Sequence, residues 1–353
     1  MFRRNTRRGN YAYTVTRVKA KKSQLIKEEE YNKMLLMSLP EISRYMSESG
    51  YQKEMSELAG RMSGIDLVEY ASYLNMSRVF TSILKASEGE LYTMVSAYLE
   101  KWNIWNVKMI LRGKSFGLDE KNIKEDLVPA GSLKEAQLDK LLSLSTVEEI
   151  LTEYSRMDSV NIPSDLIAGY MGTSGGLSVI EDFLDKFKYA RLLQAIVPDS
   201  RPTLMFQDYI RHEIDLVNFS TIMKLKAEGI HGEANVMEYI IPGGKQIDRR
   251  TAAQLANIES VSGVSSEISQ MDFYEAVKPL LDAPVVSIRA VESALKRYDM
   301  ERAKKFSHMN PLSVAPVMDF MIHKENEISN ILAIARGIQS GLDTEVIKGL
   351  LVI

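Results

Sequence analysis

The sequence predicts an all-α protein made of three similar helical units. Three observations carry that reading: a twelve-residue pattern occurs three times, its apolar positions repeat with helical period, and strand signals are scarce. The run V-V-S-I-R from Val285 is short and isolated, and no alternating run with hairpin turns appears.

The copies read N-V-K-M-I-L-R-G-K-S-F-G from Asn106 to Gly117, N-F-S-T-I-M-K-L-K-A-E-G from Asn218 to Gly229, and N-I-L-A-I-A-R-G-I-Q-S-G from Asn330 to Gly341. Each has an Asn, a cation six residues later (Arg112, Lys224, Arg336) and a Gly eleven residues later. The three Asn residues stand 112 positions apart, nearly a third of the 353-residue chain. That spacing predicts repeat units 1–130, 131–243 and 244–353, each long enough to bury a core. Pro129-Ala130-Gly131 and Pro242-Gly243-Gly244 punctuate the boundaries as helix breakers.

A weaker echo precedes each copy: L-P-E-I-S-R-Y-M from Leu39, V-E-E-I-L-T-E-Y from Val147 and V-S-G-V-S-S-E-I from Val261 share apolar spacing, and each follows another helical run. The repeated pattern itself is an amphipathic helix. At about 100° per residue, Ile104, Val107, Ile110 and Leu111 fall on one arc, as do Leu216, Phe219, Ile222 and Met223, and Ile328, Ile331, Ile334 and Ala335. The Asn lies at the edge of that arc and the cation on the polar side. Gly117, Gly229 and Gly341 then stop the helix, because glycine enters the left-handed conformation without steric cost. An apolar residue follows each: Leu118, Ile230, Leu342. Asp119 and Asp343 stand where they would cap a second helix, with apolar spacing resuming at Ile123 and Leu127 and at Ile347 and Leu351. The middle copy carries one extra residue there, His231-Gly232.

Composition excludes several classes. A net charge of about -3 speaks against a nucleic-acid binder acting through its overall field, and the absence of cysteine removes disulfides, thiolate nucleophiles and thiolate metal sites. Uncharged windows fall short of the roughly 20 apolar residues of a spanning helix. The first ten residues, M-F-R-R-N-T-R-R-G-N, lack the pattern of a signal peptide. The nineteen methionines suit cores and adaptable interfaces equally.

No catalytic constellation emerges. His212-Glu213 begins like H-E-x-x-H, but position 216 is Leu, so the second ligand is missing; the four histidines read as surface or capping residues. The run G-Y-M-G-T-S-G-G from Gly169 lacks phosphate-loop spacing and a preceding strand, and reads as a connector; Pro242-Gly243-Gly244-Lys245 fails the same test. Glu28-Glu29-Glu30 and Glu325 with Glu327 read as solvated carboxylates on charged helical faces. Neither a cofactor nor a metal is expected. Arg3, Arg4, Arg7 and Arg8, followed by Arg17, Lys19, Lys21 and Lys22, precede every acidic residue. Two readings stand: a solvated tail leading into a helix, or contact with an acidic partner or anionic headgroups.

The stretches Y-A-Y-T-V-T-R-V-K-A-K-K-S-Q-L-I from Tyr11, W-N-I-W-N-V-K-M-I-L-R-G-K from Trp102 and E-I-S-N-I-L-A-I-A-R-G-I-Q-S-G-L from Glu327 resemble the C subunit of the archaeal-type (A/V-type) ATP synthase, the counterpart of the d subunit in vacuolar ATPases. The resemblance spans essentially the whole chain. It implies three helical domains in a pseudo-threefold funnel, seated on the membrane rotor ring of proteolipid subunits at the cytoplasmic face and receiving the tip of the central shaft. It implies a non-catalytic role in ion transport and ATP synthesis, in which Asn106, Asn218 and Asn330, with Arg112, Lys224 and Arg336, hold helices together or line a shared surface. The departures of the middle copy, Lys224 and His231-Gly232, set it apart from the other two. The competing reading is a cytosolic scaffold of stacked helical repeats, although such repeats are usually about 20 to 45 residues long.

Overall fold

The computed structural model describes residues 8–158, 160–169, 176–261 and 263–353. Among them the regular structure is helical throughout and no strand occurs, so the protein is all-α. Val285-Val286 is coil, and Ser287 caps the helix that follows, its side chain accepting from the Ala290 N–H.

After α1 (Tyr11–Lys22), the helices of the described residues fall into three sets that follow the sequence repeat. The first set is α2 (Glu28–Met34), α3 (Leu39–Ser47), α4 (Gln52–Leu58), α5 (Gly64–Ala86), the abutting pair α6 (Gly89–Leu99) and α7 (Lys101–Ser115), and then α8 (Glu120–Glu125), with α6 and α7 together matching one helix of the other sets. The second is α9 (Glu135–Leu142), α10 (Val147–Asp158), α11 (Ser164–Gly169), α12 (Leu177–Ala195), α13 (Arg201–Ala227) and α14 (Glu233–Val236), followed by a 3₁₀ turn. The third is α15 (Arg249–Asn257), α16 (Val264–Glu267), α17 (Tyr274–Leu281), α18 (Ile288–Met309), α19 (Ala315–Gln339) and α20 (Thr344–Lys348).

The three long arcs are buried along α7, α13 and α19 as their periodicity requires. The echoing stretches behave likewise: Ile42, Ile150 and Val264 are buried, as are Met46, Tyr154 and Ile268 one turn later. All three corners are built alike. Gly117, Gly229 and Gly341 have positive φ, and the next residue's N–H turns back to a carbonyl five residues earlier: Leu118 to Gly113, Ile230 to Leu225, Leu342 to Gly337, at 2.8–2.9 Å. Asp119 caps α8 through the Asn122 N–H at 2.8 Å, whereas Asp343 occupies the N-cap position of α20 without a side-chain cap bond. In the middle corner Gly232, with φ +89°, stands at that position instead.

The structure divides into two compact units. One comprises the residues up to Lys188 with His323–Leu351; the other comprises Tyr189–Ile322 with Val352–Ile353. Inside the first, one core joins α7 and α8 of the first repeat (Val107, Ile110, Leu111, Ile123) to α9, α10 and α12 of the second (Leu138, Leu141, Ile150, Leu151, Leu184). Inside the other, α13 and α14 of the second repeat (Phe219, Ile222, Val236) share a core with α15 to α18 of the third (Leu255, Phe273, Val277, Val291). Each of these cores therefore combines the end of one repeat with the beginning of the next.

The repeated Asn explains part of that continuity. Asn106 is fully buried; its amide donates to the Val128 carbonyl at 2.8 Å and accepts from the Val128 N–H at 2.7 Å. Asn218 does the same for Ile241, at 2.8 Å both ways. An asparagine amide can satisfy both backbone groups of one extended residue, which no apolar side chain could do. Asn106→Ala should therefore orphan two buried polar groups and cost about 2–4 kcal/mol, read as a lower urea midpoint; a loss below about 1 kcal/mol would contradict the clamp.

Candidate functional site

Among the described residues no cluster of three or more His, Asp or Glu side chains is disposed to hold a metal ion. The glycine-rich run lies mostly outside the described residues, at 170–175. What the fold does gather, in every repeat, is a set of polar side chains along the long helix aimed at the segment that ends the repeat or at the start of the next one. These junctions are the candidate functional site.

The first member of the set is the Asn clamp. Its third copy, Asn330, is buried and hydrogen-bonds Tyr31, opposing the rise that burial and Glu327 impose on the Tyr31 phenol's pKa. The second member lies three residues earlier and has no constant identity: Asn103, Asp215, Glu327. Asn103 accepts from the Leu133 N–H at 3.1 Å, just before α9. Asp215 accepts from the Gln246 and Ile247 N–H groups at 2.9 and 2.8 Å, just before α15. Glu327 accepts from the Ile26 N–H at 2.6 Å, just before α2. In each case the acceptor holds the residue leading into the first helix of the next repeat, and the third repeat holds the first.

That close approach dictates residues in the connecting segments. Gly131 and Gly244 sit against Asn103 and Asp215; a Cβ on Gly244 would stand 2.4 Å from Asp215 Oδ1 and 2.6 Å from the Ile247 carbonyl. These glycines, read from sequence as helix breakers, are also required by contact. Burial raises the Asp215 carboxyl's pKa, and the backbone N–H groups around it offset part of the rise.

The third member is the cation. Arg112 makes a two-pronged ion pair with Glu181 of α12, at 2.6 and 2.5 Å; Lys224 pairs with Glu292 of α18 at 2.5 Å; Arg336 pairs with Glu69 of α5 through two contacts of 2.6 and 3.1 Å. The partners Glu69, Glu181 and Glu292 recur 112 and 111 residues apart. Repeat one again reaches repeat two, two reaches three, and three reaches one. The cations are about half exposed, at 45%, 53% and 55%, so each pair contributes on the order of 1 kcal/mol or less. Their value is orientation.

Two expectations fail here. Glu327 is buried rather than solvated, because its α19 position faces the first repeat; Glu325 is part-buried and pairs with Lys101 at 2.6 Å. His212 is fully buried, not on the surface: it lies on α13 beside the Tyr298 ring, and neither ring nitrogen has a hydrogen-bond partner among the described residues. Burial, reinforced by Arg302 and Lys245, holds its pKa at about 3. Of the basic N-terminal residues, Arg8 is exposed, and Arg3, Arg4 and Arg7 lie outside the described residues. The helix behind them packs through Tyr11, Thr14, Val15 and Val18, with Thr14 donating to the Ala86 carbonyl at 2.8 Å.

Two outcomes follow for stability. Gly244→Ala should cost about 2–3 kcal/mol by urea unfolding, whereas Gly60→Ala, where an added Cβ meets nothing within 4 Å, should stay within about 0.5 kcal/mol; equal effects would contradict the contact. His212 keeps its folded pKa near 3 against an ordinary 6.5, so the unfolded chain takes up the proton first. The stability it confers is present above about pH 6.5 and lost progressively as the pH falls toward 3. His212→Leu should flatten that acid limb by on the order of 3 kcal/mol, and an unchanged limb would refute it.

The chain matches the family model described as ATP synthase (C/AC39) subunit over residues 14–350. It is 35% identical to the C subunit of the A-type ATP synthase of Methanosarcina mazei over 345 residues, covering 98% of this chain and 93% of the relative. It is 35% identical to that of Methanococcoides burtonii, with 98% and 94% coverage, and 32% identical to that of Haloferax volcanii, with 98% of each chain covered. With a family match along nearly its whole length, and relatives above 30% identity over almost all of theirs, the chain belongs to the ATP synthase (C/AC39) subunit family.

Proposed function

We propose that this chain is the non-catalytic central-stalk subunit of an A/V-type ATP synthase, seated on the proteolipid rotor ring and coupling it to the central shaft during ion transport and ATP synthesis. The observation that carries the reading is the nearly full-length match to relatives named as the C subunit of A-type ATP synthases. A coupling subunit must transmit torque without dissipating it in internal slack. Shared cores that straddle the repeat boundaries, and junctions in which every long helix holds the next repeat, support such a role.

The reading includes three units, 1–130, 131–243 and 244–353, in pseudo-threefold order. The order of ion pairs, one to two, two to three and three to one, supports that arrangement. No helix among the described residues is long and apolar enough to cross a membrane, and the proposed position is peripheral, at the cytoplasmic face. Arg3, Arg4, Arg7 and Arg8 are the cations proposed to face the membrane or an acidic partner protein.

Reconstitution tests the proposal. Vesicles carrying the complex without this chain should hydrolyse ATP but take up neither protons nor sodium ions, and adding the purified chain should restore uptake. Uptake without the chain, or ATP turnover by the chain alone, would refute the coupling role.

A further inference from the structure

The three junctions share a plan but not a chemistry. Asn103 and Asp215 hold backbone groups only 30 and 32 residues further along the chain, whereas Glu327 holds the Ile26 N–H across 301 residues. One helical turn before each acceptor stand Glu100, His212 and Lys324. Asn103 Nδ2 donates to Glu100 at 2.5 Å, and the His212 ring nitrogens have no hydrogen-bond partner among the described residues. At the third junction a cation meets its carboxylate: Lys324 Nζ lies 2.6 Å from Glu327 Oε1, with the side chains only 7% and 3% exposed.

Tyr51 completes the cluster. Its hydroxyl donates to Glu327 Oε1 at 2.5 Å and accepts from Lys324 at 2.9 Å, while the ammonium lies 4.4 Å from the ring centroid. Glu327 thus binds Lys324 and Tyr51 through one oxygen and the Ile26 N–H through the other. Around it stand Lys21 at the end of α1, facing Lys324, and the Tyr31 and Tyr45 phenols, facing Glu327.

We propose that Lys324, Glu327 and Tyr51 form a clasp that closes the last repeat on the first, and that the seam there opens as a separate unit when the clasp is broken. The argument rests on connectivity. At the first two junctions a short stretch of chain keeps the partners near each other after the contact breaks. At the seam it does not: a flexible chain of about 301 residues brings its ends together roughly 30-fold less often than one of about 30. Side chains must supply what connectivity does not, and a buried, fully partnered charged cluster is strongly sensitive to loss of one member. The Arg336–Glu69 and Lys101–Glu325 pairs tie the same two repeats, but both are more open to water than the clasp and neither holds the segment that leads into α2. The proposal does not depend on the coupling role.

Amide hydrogen exchange of the full chain, read by mass spectrometry, tests the clasp. In Glu327→Gln, peptides covering 26–34 should exchange at least tenfold faster than in the unaltered chain, with 135–142 and 249–257 changed less than twofold. Tyr51→Phe, which removes one hydroxyl, should give the same pattern at threefold or more, and serves if the first variant does not fold. Asp215→Asn should leave 26–34 unaffected. Uniform acceleration of all three segments, or none at 26–34 in either clasp variant, would overturn the proposal.

Discussion

The rest of the structure depends on how the buried segments between repeats satisfy their backbone polar groups. Val128 and Leu133, and Ile241 and Ile247, are buried but lie outside helices, so the helical ladder cannot pair their N–H and C=O groups. Side chains of the preceding long helix do so instead. Asn106 and Asn103 secure the first segment, and Asn218 and Asp215 the second. Without these bonds the segments would be drawn toward water, and the helices following them could not share a core with the helix before. The offset cores, the close-packed glycines and the head-to-tail order all follow from this pairing.

Much of this is legible in the sequence, and the reason lies in chemistry. The clamp needs a donor and an acceptor on one short side chain, so Asn stands at both 106 and 218, and the corner needs positive φ, so Gly recurs at 117, 229 and 341. The second acceptor needs only an oxygen aimed at an N–H, which Asn103, Asp215 and Glu327 all provide, and a pattern sought by identity passes over it. Continuing the 112-residue register along the long helix finds it, whereas Glu69 and Glu181 keep that register and Glu292 departs from it by one residue. Glu327 reads as a solvated carboxylate because its neighbours on α19 are charged; its burial comes from a segment 301 residues away, which no local pattern records. His212 misleads for a similar reason: its surroundings come from α18, through Tyr298 and Arg302.

The repeats are alike without being interchangeable. Gly113 and Gly337 lie against Ile123 and Ile347, and an added Cβ would stand within 2.8 Å of each isoleucine; the middle copy has Leu225 instead, with the slighter Val236 opposite. There Lys226 reaches across to the Ala256 and Ile258 carbonyls at the end of α15, a bond the other two repeats lack among the described residues. A chain of three repeats, one of them distinct, can present different surfaces to different neighbours while keeping one way of joining consecutive repeats. That is a useful property for a protein proposed to lie between a membrane ring and a shaft.

The measurement that tests the proposed role most directly is an affinity pull-down of the tagged chain from gently detergent-solubilised membranes of its own source, with co-eluting proteins identified by mass spectrometry. The coupling role predicts recovery of a small, very hydrophobic ring protein together with large nucleotide-binding subunits. Recovery of soluble partners alone, from membranes in which the ATP synthase is demonstrably intact, would contradict it.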